Sequence, residues 1–170
     1  MLEERKPIGK DASGFDILTQ AAKALLNQFP GLEEGEVVKF EELGDESGIA
    51  FSADNGALIY SQKTDILDNV YQECRYPFYI VYRTASTKER QKINIQEFLE
   101  QFGKWLCREP VEIDGNLQQL TAWPKLSGKR KITGITRDNS YGLDPQENGV
   151  QDWVLPVSIQ YTNEFNLEGE

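Results

Sequence analysis

The side chains equipped for chemistry in this sequence are carboxylates, cations and two thiols, because histidine is absent altogether. Without an imidazole there is no Ser–His or Cys–His nucleophile pair and no histidine general base near neutral pH. The commonest transition-metal ligand is missing too, so carboxylate-only or lysine-based catalysis is all that stays formally open. Seven acids fall in one stretch: Glu33, Glu34, Glu36, Glu41, Glu42, Asp45 and Glu46. A glycosidase would hold two such groups at a fixed separation across a sugar. The spacing here selects no pair, and a solvated acidic face is the plainer reading. Cys74 and Cys107 read as free thiols of a cytoplasmic protein, and two sulfurs without histidine make no zinc site. Asp54-Asn55-Gly56 begins like a calcium loop but lacks the later ligands and the closing Glu. No segment fits the P-loop or the dinucleotide glycine pattern. The expectation is a protein that is not an enzyme, with no cofactor and no metal site.

The chain carries 28 acids against 18 bases, a net charge of −10. Binding to nucleic acid needs clustered cations to neutralise phosphates, so a general nucleic-acid binder is disfavoured. Solubility is the plain meaning of the excess. Two basic groups nevertheless stand out. Arg83, Lys88, Arg90 and Lys92 surround a strand-to-helix connection, and Lys125, Lys129, Arg130 and Lys131 surround a predicted hairpin tip. They read either as solvated loop charge or as contacts to an acidic surface of a neighbouring subunit, supplied by Glu33, Glu34, Glu36, Glu41 and Glu42. Complementarity of that kind steers docking and register more than it adds affinity. Trp105, Trp123 and Trp153 read as core or core-margin residues, with an interface role as the alternative.

These groups need a scaffold, and the apolar pattern predicts an α+β one: a mostly antiparallel sheet with two main helices, about 15–29 and 95–108, packed on it. Leu18, Ala21, Ala22, Leu25 and Phe29 recur at helical spacing after an N-cap at Ser13, and Pro30-Gly31 stops the run. Ile95, Phe98, Leu99, Phe102 and Leu106 form the second stripe. Asn94 and Glu97 suggest a capping box, and Pro110 forbids continuation. A short strand is predicted at 37–40. Residues 49–52 and 57–60 around Asn55-Gly56 predict a hairpin, since both central residues of a primed turn take positive φ. Residues 66–71 predict a strand, or a turn and then a strand. Residues 78–84 predict another, with Pro77 at its start and both faces covered by helices or by a neighbouring subunit. Residues 120–123 and 131–136 predict paired strands joined by 125–130, then an extended loop at 138–152 and a closing strand at 153–161. One domain spanning 1–170 accommodates all of this, with 1–13 and 163–170 flexible. No run reaches the length of a membrane span and the charged start is no secretory signal, so the expectation is a soluble protein made in a cytoplasm.

In this order the elements resemble the tail-terminator proteins of long-tailed bacteriophages, a group that includes small minor capsid proteins of phages and prophages of Gram-positive bacteria. The resemblance starts with the helix at 15–29 before a glycine-punctuated meander at 37–60. It continues through Tyr76-Pro77-Phe78-Tyr79-Ile80-Val81-Tyr82-Arg83, then Asn94-Ile95-Gln96-Glu97-Phe98-Leu99 with Trp105-Leu106. Trp153-Val154-Leu155-Pro156-Val157-Ser158-Ile159-Gln160-Tyr161 is like the family's final sheet strand. It covers about 15–165 and rests on element order and sequence texture, not on catalytic motifs. The resemblance implies structural work in a virion. Such proteins form a ring, usually a hexamer, on the head-proximal end of the tail tube. The ring stops tube polymerisation and gives the head–tail connector its docking surface. Implied partners are copies of the chain itself, the tail tube protein and the connector, with a tail sheath as a further candidate. DNA would pass through the ring without specific binding, no membrane is involved, and synthesis would take place in the bacterial host cytoplasm. No catalytic residue carries over, the family having none. The chain is longer than compact members at 1–14 and 138–152, segments suited to clasping a neighbour or touching sheath or connector.

Other readings stay open. One is a head-completion or connector (minor capsid) protein of the same particle. Another is a small cytosolic enzyme using Glu97 or the acids of 33–46. A third is a small cytosolic binding module, monomeric, with its groove between the second helix and the sheet. An enzyme needs a pocket of convergent, pKa-shifted acids, whereas a ring protein needs complementary faces.

Overall fold

Two strands of 16 residues each, β4 (Asn69–Thr84) and β9 (Gln151–Asn166), run antiparallel in unbroken register from Asn69 opposite Asn166 to Thr84 opposite Gln151. At the usual rise per residue this spine is about 50 Å long. It lies at the centre of a computed structural model that describes residues 4–6, 14–86 and 88–169. The other elements are α1 (Phe15–Leu26), β1 (Val38–Phe40), β2 (Gly48–Ala53), β3 (Leu58–Thr64), α2 (Glu89–Leu106), β5 (Val111–Ile113), β6 (Asn116–Gln118), β7 (Lys131–Arg137) and β8 (Tyr141–Gly142). The main sheet has seven strands in the order β1-β2-β4-β9-β7, with β3 also on β4 and β8 also on β9. Among the described residues only β1 and β2 pair in parallel. The fold is therefore α+β with two helices and a mostly antiparallel sheet, as expected, but the sheet is larger than the sequence suggested. β5 and β6 form a separate small hairpin.

Side chains alternate across the spine because successive Cβ atoms point to opposite faces. Tyr76, Phe78 and Ile80 of β4 pair with Ile159, Val157 and Leu155 of β9, and all six are buried under the helices. The intervening Pro77, Tyr79 and Val81 are only half-buried. Helices thus cover one face of this segment; of the two covers expected from its apolar run, helices supply one face only.

α1 presents Leu18, Ala22, Leu25 and Leu26 to the sheet. It stops three residues earlier than expected because the side chain of Asn27 is bonded to strand β1. Asn27 Nδ2 donates to the Val38 carbonyl at 2.9 Å, and Val38 N–H donates to Asn27 Oδ1 at 2.8 Å. Phe29 follows outside the helix and stacks on Phe102 with ring centroids 4.3 Å apart. Ser13 lies outside the described residues, and the N-cap position is Gly14 in a left-handed conformation. α2 buries Ile95, Leu99, Phe102 and Leu106, but it begins at Glu89 and ends at Leu106. The Asn94–Glu97 capping box is therefore not formed; those residues are helix interior. Gly103 lets β7 approach: a Cβ there would collide with the side chain of Arg137. That side chain continues to Glu100, Nη1 to Oε1 at 2.9 Å.

The prolines explain the rest of the topology. Pro77 lies within β4, not at its start, and Pro156 lies within β9. A proline has no N–H to give a ladder, so it is tolerated only where the neighbouring strand asks for none. In an antiparallel strand the N and C=O of one residue point to the same neighbour. The Pro77 carbonyl accepts from Asp54 N–H at 2.9 Å and the Pro156 carbonyl from Asp138 N–H at 3.0 Å. Both prolines thus face outward from the spine, and on each side the outer strand is interrupted there. β2 pairs with 78–83, β3 with 70–75, and residues 54–57 bridge the gap. β7 and β8 make the matching break along β9.

This overturns the hairpin expected at 49–60. Asn55 and Gly56 do have positive φ, 66° and 67°, yet β2 and β3 continue in one direction along β4. The pair forms a bulge of four residues opposite two. The true hairpin is β3–β4, turning at 65–68. Residues 120–123 form no strand, β8 falls inside the predicted loop 138–152, and 163–166 belong to β9 instead of a loose end. Of 1–13 only 4–6 are described, exposed and outside any helix or strand; the rest of that expectation, and Glu170, lie outside the described residues.

Leu99 is fully buried between α2 and the sheet. Leu99→Ala is expected to lower unfolding free energy by about 2–5 kcal/mol, measured by urea denaturation.

Candidate functional site

The sequence-predicted charged groups fall on different parts of the sheet. The acidic stretch edges β1 and β2, on the flank that β3 continues. Glu34, Glu41 and Glu42 are exposed, Glu33 as well, and Glu36 is half-buried. Several are already engaged. Glu36 Oε1 accepts from Glu33 N–H at 2.7 Å, Glu41 Oε1 from the Ser52 hydroxyl at 3.2 Å, and Glu42 pairs with Lys39 at 3.4 Å. Glu33 and Glu36 line a cleft of about 210 Å³ with Tyr82 and, from α2, Gln91, Asn94 and Phe98. Burial pushes the Tyr82 phenol up, and the two carboxylates add to the shift. This is the groove between helix and sheet that a binding module would use, and it is small and acidic.

The first basic group is split. Arg83 is turned inward: Nε and Nη2 donate to the two carboxylate oxygens of Asp152 at 2.7 and 2.9 Å, and Nη1 donates to the Gly44 carbonyl at 3.1 Å. The fork-on-carboxylate geometry raises the Arg83 pKa and ties the acidic loop to the spine. Lys88 occupies the N-cap position of α2 and Arg90 and Lys92 its first turn. Cations there oppose the helix dipole. They are surface charges, and Arg83 does not join them as a contact patch.

The second basic group does form a surface. Lys125, Lys129, Arg130 and Lys131 border a groove of about 780 Å³ beside the start of β7, on the flank opposite the acids. Its floor is apolar, from Trp123, Leu126 and Ile132. The Trp123 indole N–H donates to the Leu106 carbonyl at 2.9 Å, and the Arg108 guanidinium lies 5.3 Å from its ring centre. This half-buried tryptophan is tied to the end of α2 and lines the groove together with Arg108. Trp105 and Trp153 are core residues. The sequence marked the lysines but not the floor, because Leu126 is a lone apolar residue among loop residues.

A second feature is the β3–β4 turn, which matches the turn-then-strand alternative for 66–71, although the exposure of its aliphatic side chains was not foreseen. Ile66 and Leu67 are 99% and 70% exposed. Asp65 orders the turn, its Oδ1 accepting from Leu67 N–H at 2.9 Å and Asn69 N–H at 3.0 Å. Hydrogen bonds from Asn69, Leu67 and Tyr71 hold the Asp65 carboxyl below its ordinary value. Asn166 Nδ2 donates to the Leu67 carbonyl at 3.0 Å, and Leu167 N–H to the Asp68 carbonyl at 2.9 Å. The spacing Asp-x-x-Asp-Asn was the available signal for this turn.

Where the two proline breaks face each other, a cleft of about 270 Å³ opens between Asp54, Tyr79, Asp138 and Ser158. The Tyr79 hydroxyl donates to Asp54 Oδ2 at 3.0 Å, and that bond keeps the phenol above its usual pKa. Glu97 lies exposed on α2 with the Gln101 amide donating to it. Both cysteines are free thiols, pushed up by burial and so poorly nucleophilic. Among the described residues no three Cys, Asp or Glu are grouped to hold a metal ion, and no helix is long and apolar enough to cross a membrane. Neither a protein-family model nor a curated protein matches this chain.

Two outcomes are expected from these contacts. Arg83→Ala should destabilise the fold by about 1–3 kcal/mol in urea denaturation, because the half-buried Asp152 loses its partner. Asp65 has a folded pKa below its ordinary 3.8, so its contribution is full above that value and is lost as pH falls through the folded pKa. The stability gap between the parent protein and Asp65→Asn should therefore be present at neutral pH and close on acidification, followed by thermal melts across pH.

Proposed function

We propose that this protein is a structural virion component, a tail terminator that caps the head-proximal end of a phage tail tube as a ring, arrests tube polymerisation and carries the connector docking surface. The observation that carries the reading is the arrangement of unlike surfaces on the two flanks of one sheet. The acidic stretch and the acid-flanked β3–β4 tip lie on the flank of β1 and β3, and the lysine-rimmed groove lies on the flank of β7. Unlike surfaces on opposite flanks suit head-to-tail contacts, which close into rings when the rotation per subunit allows. The long spine keeps the flanks at a fixed separation. The net negative charge suits a lumen through which DNA slides without sticking. Of the candidate acids, Glu33 and Glu36 share the small cleft beside Tyr82, while Glu34, Glu41, Glu42 and Glu97 lie exposed, an arrangement that suits a charged surface better than a catalytic carboxylate pair.

Light scattering of the free protein, followed by electron microscopy with tail tubes, tests the proposal. Rings at one tube end, with tube length fixed, are the expected result. Binding to heads or connectors without any effect on tubes would favour the head-completion role instead. The double variant Lys129→Glu with Lys131→Glu is expected to lose tube-end rings while keeping its melting temperature, because both side chains are exposed.

A further inference from the structure

The β3–β4 tip and the groove beside β7 have matching chemistry. The tip places two aliphatic side chains, Ile66 and Leu67, between two acids, Asp65 and Asp68. It is held in shape before any partner arrives, by the Asp65 turn bonds and by the Asn166 and Leu167 bonds from β9. A contact made by an already ordered loop loses little conformational entropy. The groove has the complementary character: an apolar floor of Trp123, Leu126 and Ile132 with Lys125, Lys129 and Lys131 at its mouth. At about 780 Å³ it has room for both aliphatic side chains.

Their positions agree as well. The tip extends from the Asn69/Asn166 end of the spine on the β3 flank. The groove lies toward that same end on the opposite flank, since Lys131 opens β7 opposite Thr162, four residues or about 13 Å from Asn166. Copies set side by side, one flank against the other, bring tip to groove. We propose that the β3–β4 tip of one copy seats in the lysine-rimmed groove of the next, with Ile66 and Leu67 on the apolar floor and Asp68 among the lysines. Asp65 remains committed to the turn. The two surfaces differ, so the contact is heterologous and propagates from copy to copy. The acids beside the aliphatics disfavour an anionic lipid surface as the occupant. The inference deepens the ring reading and rests on self-association.

The test mixes a tagged Leu67→Cys chain with an untagged Lys129→Cys chain, with and without tail tubes, under mild oxidation with diamide. The unsubstituted chain gives the baseline from Cys74 and Cys107. A mixed disulfide is expected in clear excess over either self-pair. Adding Ile66→Asp to the first chain should reduce it by about tenfold, the scale expected for losing one buried aliphatic contact. Because Ile66 is 99% exposed, that change should leave the melting temperature unaltered. Mixed disulfide that falls with Ile66→Asp, but without tube-end binding, supports the tip-in-groove contact and overturns the terminator reading. Tube-end rings without mixed disulfide, or with mixed disulfide indifferent to Ile66→Asp, overturn the tip-in-groove contact and leave the terminator reading standing. Indifferent mixed disulfide without tube-end rings overturns both. Neither disulfide nor rings overturns both.

Discussion

The β4–β9 ladder is the constraint on which the rest of the molecule depends. Every other strand of the main sheet except β1 is bonded directly to one of these two, and β1 reaches them through β2. Register within the ladder decides which residues go under the helices. A shift of one residue would turn Tyr76, Phe78 and Ile80 to the open face and bring Pro77 and Tyr79 into the core. The prolines constrain it further, because Pro77 and Pro156 must both point at interruptions of the outer strands. Each of those interruptions is made by a segment that starts with aspartate, Asp54 or Asp138, donating its backbone N–H to the proline carbonyl.

Around this spine, polar contacts tie loops to the ladder. The Arg83–Asp152 pair joins β4 to β9 at one end and reaches Gly44 in the acidic loop. At the other end, Asn166 and Leu167 are bonded to the β3–β4 turn. The Asn27–Val38 exchange fixes β1 to the end of α1, and Trp123 is hung from the end of α2. The surfaces that would meet other molecules are thus loops anchored to rigid elements, which is what a repeated, geometrically fixed contact needs.

The parts legible in the sequence were those governed by local periodicity. The two helical stripes and the closing strand follow from apolar residues at spacings of 3.6 and 2, and the structure has them. Boundaries moved where a tertiary bond outweighed a local signal, as Asn27 shows at the end of α1. The Asn55-Gly56 case is more instructive. The positive φ values were readable, but a turn signal does not say which strand the chain will pair with next. That was decided by Pro77, more than twenty residues away, which offers a long strand to pair along and a gap to cross. The candidate surface was half legible. Lysines at 125–131 stood out as charge, whereas the apolar floor of Trp123, Leu126 and Ile132 is assembled from separate segments. Ile66 and Leu67 were legible as strand or as turn, but not as exposed side chains, because aliphatic residues are usually covered.

Chain order adds one further consequence. β9 follows β7 and β8 in sequence yet lies between them and β4, so the sheet is completed by insertion and not by addition at an edge. Among the described residues β7 and β8 bond only to β9, and have no other strand there to align on until it arrives. Thr84 and Gln151, the nearest rung in sequence, are separated by α2 and all of the segment that follows it. Pairings of such long separation make folding slow and late. During synthesis β4 would wait with one edge bare, and the nascent chain would need protection from other strands until the last one slots in.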